Sequence, residues 1–156
     1  MRMKKHRLWL LLAALIIVIV GVAPESMAGR NAGEGASIEK LEPKAALALI
    51  QKNKGKDDFV ILDVRTPEEF KDGHIQGAIN VDYNSGNFRG SLHDLDKNKT
   101  YLVYCRTGRR TTAAVELMVQ QGFKRIYRIA GDIMRWRSEG LPLTKGPSTE
   151  PPRDGR

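Results

Sequence analysis

Between residues 38 and 138, short apolar runs alternate with stretches whose apolar residues recur every three or four positions. The first pattern predicts buried strands and the second amphipathic helices. The strand-like runs are 38–41, 59–62, 78–81, 101–104 and 125–129. Runs such as Phe59-Val-Ile-Leu62 are continuously apolar, as strands buried on both faces of a parallel sheet are. A helix is predicted over 43–52, opened by Pro43, with Ala46, Leu49 and Ile50 turned inward. Another starts at Thr66-Pro67-Glu68-Glu69, where Thr66 caps, Pro67 fits the first helical position and Glu69 completes a capping box. A third covers 111–121, with Ala114, Leu117, Met118 and Gln121 on one face and Gly122 as its stop. The last covers 133–137 and carries Trp136 on its apolar side. Residues 82–98 form the longest irregular stretch, with one short helical piece near 89–95. This alternation predicts an α/β domain with a mainly parallel five-stranded sheet and helices on both faces.

The ends of the chain break the pattern. Residues 1–7 are basic, residues 8–23 are an uncharged apolar run, and Ser26-x-Ala28 is a small-x-small cleavage site. Residues 1–28 therefore read as a secretory signal peptide. The run is slightly short for a membrane span of about 20 residues, and an uncleaved anchor through residues 8–23 is the alternative. Either the protein is exported, periplasmic or secreted, or it is held at the membrane. Residues 29–37 are Gly-rich and read as a flexible linker to a domain at 38–142. Residues 143–156, with Pro147, Pro151 and Pro152 among Gly, Ser and charges, read as a disordered tail.

The formal charge is +8, and loss of residues 1–28 would leave +5. Apart from residues 106–110 the basic residues are dispersed, without aromatic interleaving or a nucleic-acid motif, so nucleic acid is not an expected partner. Charged residues make up 28% of the chain, within the globular range, and its 156 residues suffice for one domain with a core.

The chain has one cysteine, Cys105, which excludes both an internal disulfide and Cys-x-x-Cys redox chemistry. A single cysteine in an exported protein points to a functional thiol. Cys105 ends the run 101–104, and Arg106-Thr107-Gly108-Arg109-Arg110 follows before a predicted helix. Open parallel sheets place their ligand sites there, at the carboxyl ends of strands. Backbone N–H groups at a helix amino end converge on an anion, and nearby arginines favour a thiolate. Gly108 allows the turn that aims those amides at one point. A core cysteine would gain nothing from three arginines. Arg110 follows the cysteine by five positions and closes a short ring. The phosphate loop of cysteine phosphatases is one residue longer, and this chain has Thr111 where that loop needs arginine.

The segment Cys105-Arg-Thr-Gly-Arg-Arg110 resembles the active-site loop of rhodaneses, sulfurtransferases that carry sulfur as a cysteine persulfide. Ile61-Leu-Asp-Val-Arg65, Thr66-Pro-Glu-Glu-Phe70, Gly73-His-Ile-Gln-Gly-Ala-Ile-Asn80 and Gly131-Asp-Ile-Met-Arg-Trp136 also resemble that family, in its order and spacing. The resemblance covers residues 38–142. One departure is Asp132, where many relatives have a second glycine. The resemblance implies Cys105 as nucleophile, with Arg106, Thr107, Gly108, Arg109 and Arg110 as the substrate-binding loop. Arg110 is expected to close over the sulfur and Arg106 to point outward and steer. A small anionic sulfur donor such as thiosulfate and a thiol or cyanide acceptor are implied, with no metal and no organic cofactor. A monomer is the expected state, which the resemblance does not decide. No catalytic histidine is implied, so His74 reads as structural. Asp63, Arg65, Glu68 and Glu69 read as residues that close turns, cap a helix and pair with one another. Two other classes stay open: a persulfide carrier or anion-binding module serving a partner protein, and a cysteine phosphatase or arsenate-type reductase.

Overall fold

The computed structural model describes residues 35–146. The readings of residues 1–28, 29–34 and 147–156 lie outside the described residues. Among the described residues, no helix is long and apolar enough to cross a membrane.

Five strands form one sheet in which every pairing is parallel: β1 (Ser37–Leu41), β2 (Phe59–Asp63), β3 (Ala78–Asn80), β4 (Thr100–Tyr104) and β5 (Arg125–Ile129). Their order across the sheet is β1-β5-β4-β2-β3. The helices are α1 (Pro43–Lys52), α2 (Pro67–Lys71), α3 (Phe88–His93), α4 (Arg109–Gln120) and α5 (Asp132–Ser138). The α/β architecture expected from the alternating pattern is the one observed, with helices on both faces.

The central strand shows why. From Tyr101 to Tyr104 every residue of β4 is buried, because successive side chains feed opposite cores. Tyr101 and Val103 join Met118 and Val115 of α4 and Leu92 of α3. Leu102 and Tyr104 join Ala46 of α1, Phe70 of α2 and Ile133 and Trp136 of α5. The buried polar ends find partners, as low-dielectric surroundings demand. Tyr101 donates to the Asp96 carbonyl at 2.8 Å, and Trp136 Nε1 to the Pro142 carbonyl at 3.0 Å.

The strand order also creates a place for chemistry. From β2 the chain runs outward to β3 through α2 on one face; from β4 it runs the other way to β5 through α4 on the opposite face. The connections therefore diverge above the β2–β4 pair, and a crevice opens beyond the strand ends. Cys105 stands there, one residue past β4.

Several boundaries differ from the sequence reading by a residue or two, and three of them have a clear physical cause. Strand β1 begins at Ser37, inside the stretch read as linker, where the Ser37 N–H donates to the Lys124 carbonyl at 2.7 Å. The domain also continues past residue 142. Leu143 packs on the core, and Thr144 pairs with His74 through two 2.8 Å backbone bonds. Helix α4 begins at Arg109 rather than 111, because Gly108 caps it and its carbonyl accepts the Thr112 N–H at 2.9 Å. Two arginines thus occupy a first turn where the helix dipole disfavours cations, which is why a propensity reading leaves them in the loop.

Trp136 is wholly buried and Met134, two residues earlier on α5, is 48% exposed. Trp136→Ala is expected to cost about 3–5 kcal/mol in urea unfolding, and Met134→Ala less than about 0.5 kcal/mol. Equal losses would refute the packing of α5 described above.

Candidate active site

The loop after β4 is shaped by two glycines and one carboxylate. Gly108 has φ +104, a left-handed conformation that side chains disfavour. It turns the chain so that its own N–H points back at Cys105 Sγ, 3.1 Å away. A Cβ on Gly108 would also stand 3.0 Å from Asp132 Oδ2, so both conformation and space select glycine. The sulfur lies under the loop, with Cys105 only 1% exposed, and the 12-residue helix α4 starts just beyond it. A donated N–H and the positive end of a helix both stabilise negative charge on the sulfur.

The other side of the loop is strapped to α5. The Cys105 N–H donates to Asp132 Oδ1 at 2.7 Å, and the Thr111 hydroxyl donates to the same oxygen at 2.6 Å. The Cys105 and Arg106 carbonyls accept the N–H groups of Ile133 and Met134, each at 3.2 Å. Gly131 precedes them at φ +72, where a Cβ would fall within 2.6 Å of the Arg135 side chain. Asp132 follows at φ +52, the only non-glycine in the left-handed region among the described residues. From the sequence, Asp132 reads only as a carboxylate on the loop side of the sheet. Its bonds to Cys105 and Thr111 span 27 and 21 residues and have no local signature.

Arg110 lies beside the cysteine, and its guanidinium is also gripped by Glu69. Nη1 and Nη2 donate to the two oxygens of Glu69 at 2.6 and 2.9 Å. The two-bonded carboxylate raises the Arg110 pKa above its usual value, and Cys105 adds to the rise. Reciprocally, the Arg110 hydrogen bonds hold the Glu69 carboxyl below the usual carboxylate range. The same Glu69 closes the capping box of α2, its Oε2 accepting the Thr66 N–H at 3.2 Å while Thr66 Oγ1 accepts the Glu69 N–H at 3.3 Å. The capping role is visible in Thr66-Pro-Glu-Glu; the grip on Arg110, 41 residues away, is not. Arg106, Thr107 and Arg109 are exposed at the mouth of the loop. A cleft of about 260 Å³ borders it, walled by Glu69, Arg106, Met134 and Arg137.

The remaining polar residues near the strand ends hold structure. Arg65 folds back on Asp63 with Nη2 at 2.6 Å from Oδ2, and donates to the Gly73 carbonyl at 2.8 Å. Both side chains are buried; burial is the largest single effect on the Arg65 pKa and lowers it, but the hydrogen bond and charge of Asp63, with Tyr104 and Glu69, together outweigh it and raise the pKa above its usual value. Tyr104 approaches this pair, and burial together with Asp63 pushes its hydroxyl well above the usual range. His74 stacks on Phe70 at 3.6 Å and donates from Nδ1 to the Phe70 carbonyl at 2.9 Å.

The family model for the rhodanese-like domain matches residues 43–139. The chain is similar to the "Sulfurtransferase" of Allochromatium vinosum, 31% identical over 96 residues, which is 62% of this chain and 88% of that protein. It is similar to the thiosulfate sulfurtransferase PspE of Escherichia coli strain K12, 36% identical over 85 residues, 54% of this chain and 78% of that protein. Among solved structures it is similar to a rhodanese-related protein from Thermoplasma volcanium, with a TM-score of 0.57 and 30% identity, covering 69% of this chain and 99% of that one.

The Glu69 carboxyl is held below its usual value of 4.5, so its pairing adds stability that is full above that pH and is lost as pH falls through the lowered value. Wild type is therefore expected to exceed Glu69→Gln in unfolding free energy at pH 7, with the difference constant down to about pH 6 and shrinking below about pH 4.5. Urea melts across that range measure it; a difference independent of pH would contradict the ion pair.

Proposed function

Because the chain belongs to the rhodanese-like domain family, we propose that it transfers a sulfane sulfur from an anionic donor to a thiophilic acceptor through a persulfide on Cys105. The observation that carries this reading is the Gly108 N–H aimed at Sγ from the capping position of α4, with Arg110 beside it. A sulfur atom bound on Sγ would find its negative charge facing an amide, a helix amino end and a guanidinium.

With thiosulfate as donor, the Cys105 thiolate bonds to the outer sulfur. The sulfur–sulfur bond of the donor breaks, and sulfite leaves with the electron pair. The enzyme keeps Cys–S–S⁻. An acceptor nucleophile, cyanide or a thiolate, then attacks the outer sulfur and releases the Cys105 thiolate. This is covalent catalysis in two displacements, and it needs no proton-transferring histidine. Arg110, held in place by Glu69, offsets charge at the sulfur, while the exposed Arg106 and Arg109 attract the donor to the mouth of the loop. The basic and apolar amino-terminal pattern supports action outside the cytoplasm or at a membrane surface. A phosphatase reading is disfavoured, because Thr111, where that loop would carry arginine, is buried and bonded to Asp132.

Intact mass spectrometry tests the cycle. Thiosulfate is expected to add one sulfur atom to the protein, and cyanide to remove it. Cys105→Ser should show neither change; sulfur transfer by that variant would sink the assignment. Arg110→Ala is expected to lower kcat/KM for thiosulfate on the order of a hundredfold. An unchanged value would remove Arg110 from the reaction.

A further inference from the structure

The proposed chemistry leaves one buried carboxylate at the site unused. Asp132 is 3% exposed, and its Oδ1 takes the Cys105 N–H, an amide that could otherwise serve a bound anion. Its Oδ2 lies against Gly108, the residue whose N–H reaches the sulfur. Gly108 is thus flanked by Sγ at its nitrogen and by a carboxylate at its α-carbon. Asp132 also keeps a left-handed φ of +52, and backbone strain together with a desolvated carboxylate marks functional sites.

The charge balance around Cys105 differs from what three loop arginines suggest. Arg110 is matched by Glu69 through two hydrogen bonds. Arg106 and Arg109 stand in solvent, where salt screens them. The carboxylate of Asp132 is held inside, where screening is weak.

We propose that Asp132 makes the site discriminate among sulfur donors by charge, disfavouring dianions such as thiosulfate relative to monoanions that carry the same reactive sulfur, such as thiosulfonates and persulfides. This rests on the sulfur-transfer reading of Cys105. Asp132 acts through its field and its hold on the loop; it is a positioning and specificity residue. With thiosulfate, the new bond joins Sγ to the outer sulfur and sulfite departs. With methanethiosulfonate, the same bond forms and methanesulfinate departs. Both reactions yield Cys–S–S⁻, and the donors differ by one unit of charge.

The test is the second-order rate of persulfide formation on the full-length protein and on Asp132→Asn, with both donors. Asparagine keeps an oxygen acceptor for Cys105 and Thr111 and tolerates the left-handed backbone, so it removes charge while keeping geometry. Coulomb energy scales with donor charge, so the gain for thiosulfate should be the square of the gain for methanethiosulfonate: about tenfold against about threefold. Asp132→Gly, which also suits this φ, should shift the donor ratio the same way. Equal factors for both donors, or a loss for both, would overturn the proposal and leave Asp132 as a tether alone. A second readout is independent of sulfur transfer: alkylation of Cys105 by iodoacetate relative to iodoacetamide. That ratio should rise about threefold in Asp132→Asn, and an unchanged ratio overturns the proposal. If neither donor loads sulfur but the alkylation ratio rises, the charge effect stands and the sulfur-transfer reading falls.

Discussion

The Asp132 carboxylate is the tie on which the geometry at Cys105 depends. A loop that aims a backbone N–H at a sulfur has no ladder of its own to keep it in shape. Here one oxygen receives both the amide before the loop and the Thr111 hydroxyl after it. Oxygen Oδ2 fills the space that a side chain on residue 108 would need. The loop is pinned at both ends by a group that enters from α5, and the two glycines at 108 and 131 permit the approach. Such a contact is strong because a charged acceptor meets neutral donors away from water.

A second long-range contact sets the charge. Three arginines follow the cysteine in sequence, yet the groups held around it include one more carboxylate than guanidinium. Glu69 holds Arg110 in a two-point grip, and the carboxyl of Asp132 faces the loop interior. Arg65 and Asp63 form a separate closed pair beneath the same crevice. The first-turn position of Arg110 opposes the dipole of α4, and the Glu69 carboxylate offsets that cost. A helix cap at α2 and a reactive-loop arginine thus share one side chain, which couples the local stability of α2 to the geometry around Cys105.

The sheet supplies what these contacts need. Parallel strands buried on both faces place Tyr104 and Asp63 side by side at the same height. The departure of α2 and α4 to opposite faces brings Arg110 and Glu69 together at the strand ends, beside the buried Cys105. Strand β5 brings Gly131 and Asp132 to the same rim, because it pairs with β4 in register from Arg125 to Arg128.

Much of this was legible in the chain. The continuously apolar run 59–62 and the run before Cys105 specified strands buried in a parallel sheet, because a two-sided core leaves no room for alternation. The capping box at Thr66 and Glu69 and the turn at Gly108 followed from local chemistry, since each depends on neighbours within three residues. The domain limits at Ser37 and Thr144 did not, because both are set by backbone partners far away in the chain. The same holds for the two carboxylates at the site. Glu69 and Asp132 look like a helix-start residue and a substitution in a turn until the sheet brings them to Arg110 and Cys105. The sequence by itself determined the fold class, the nucleophile candidate and the turn at Gly108, because these rest on periodicity and short-range sterics; the tie that holds the rest of the loop came from Asp132, 27 residues away. The tertiary structure alone decided which charges remain unmatched around the sulfur, because that depends on which distant side chains share its low-dielectric surroundings.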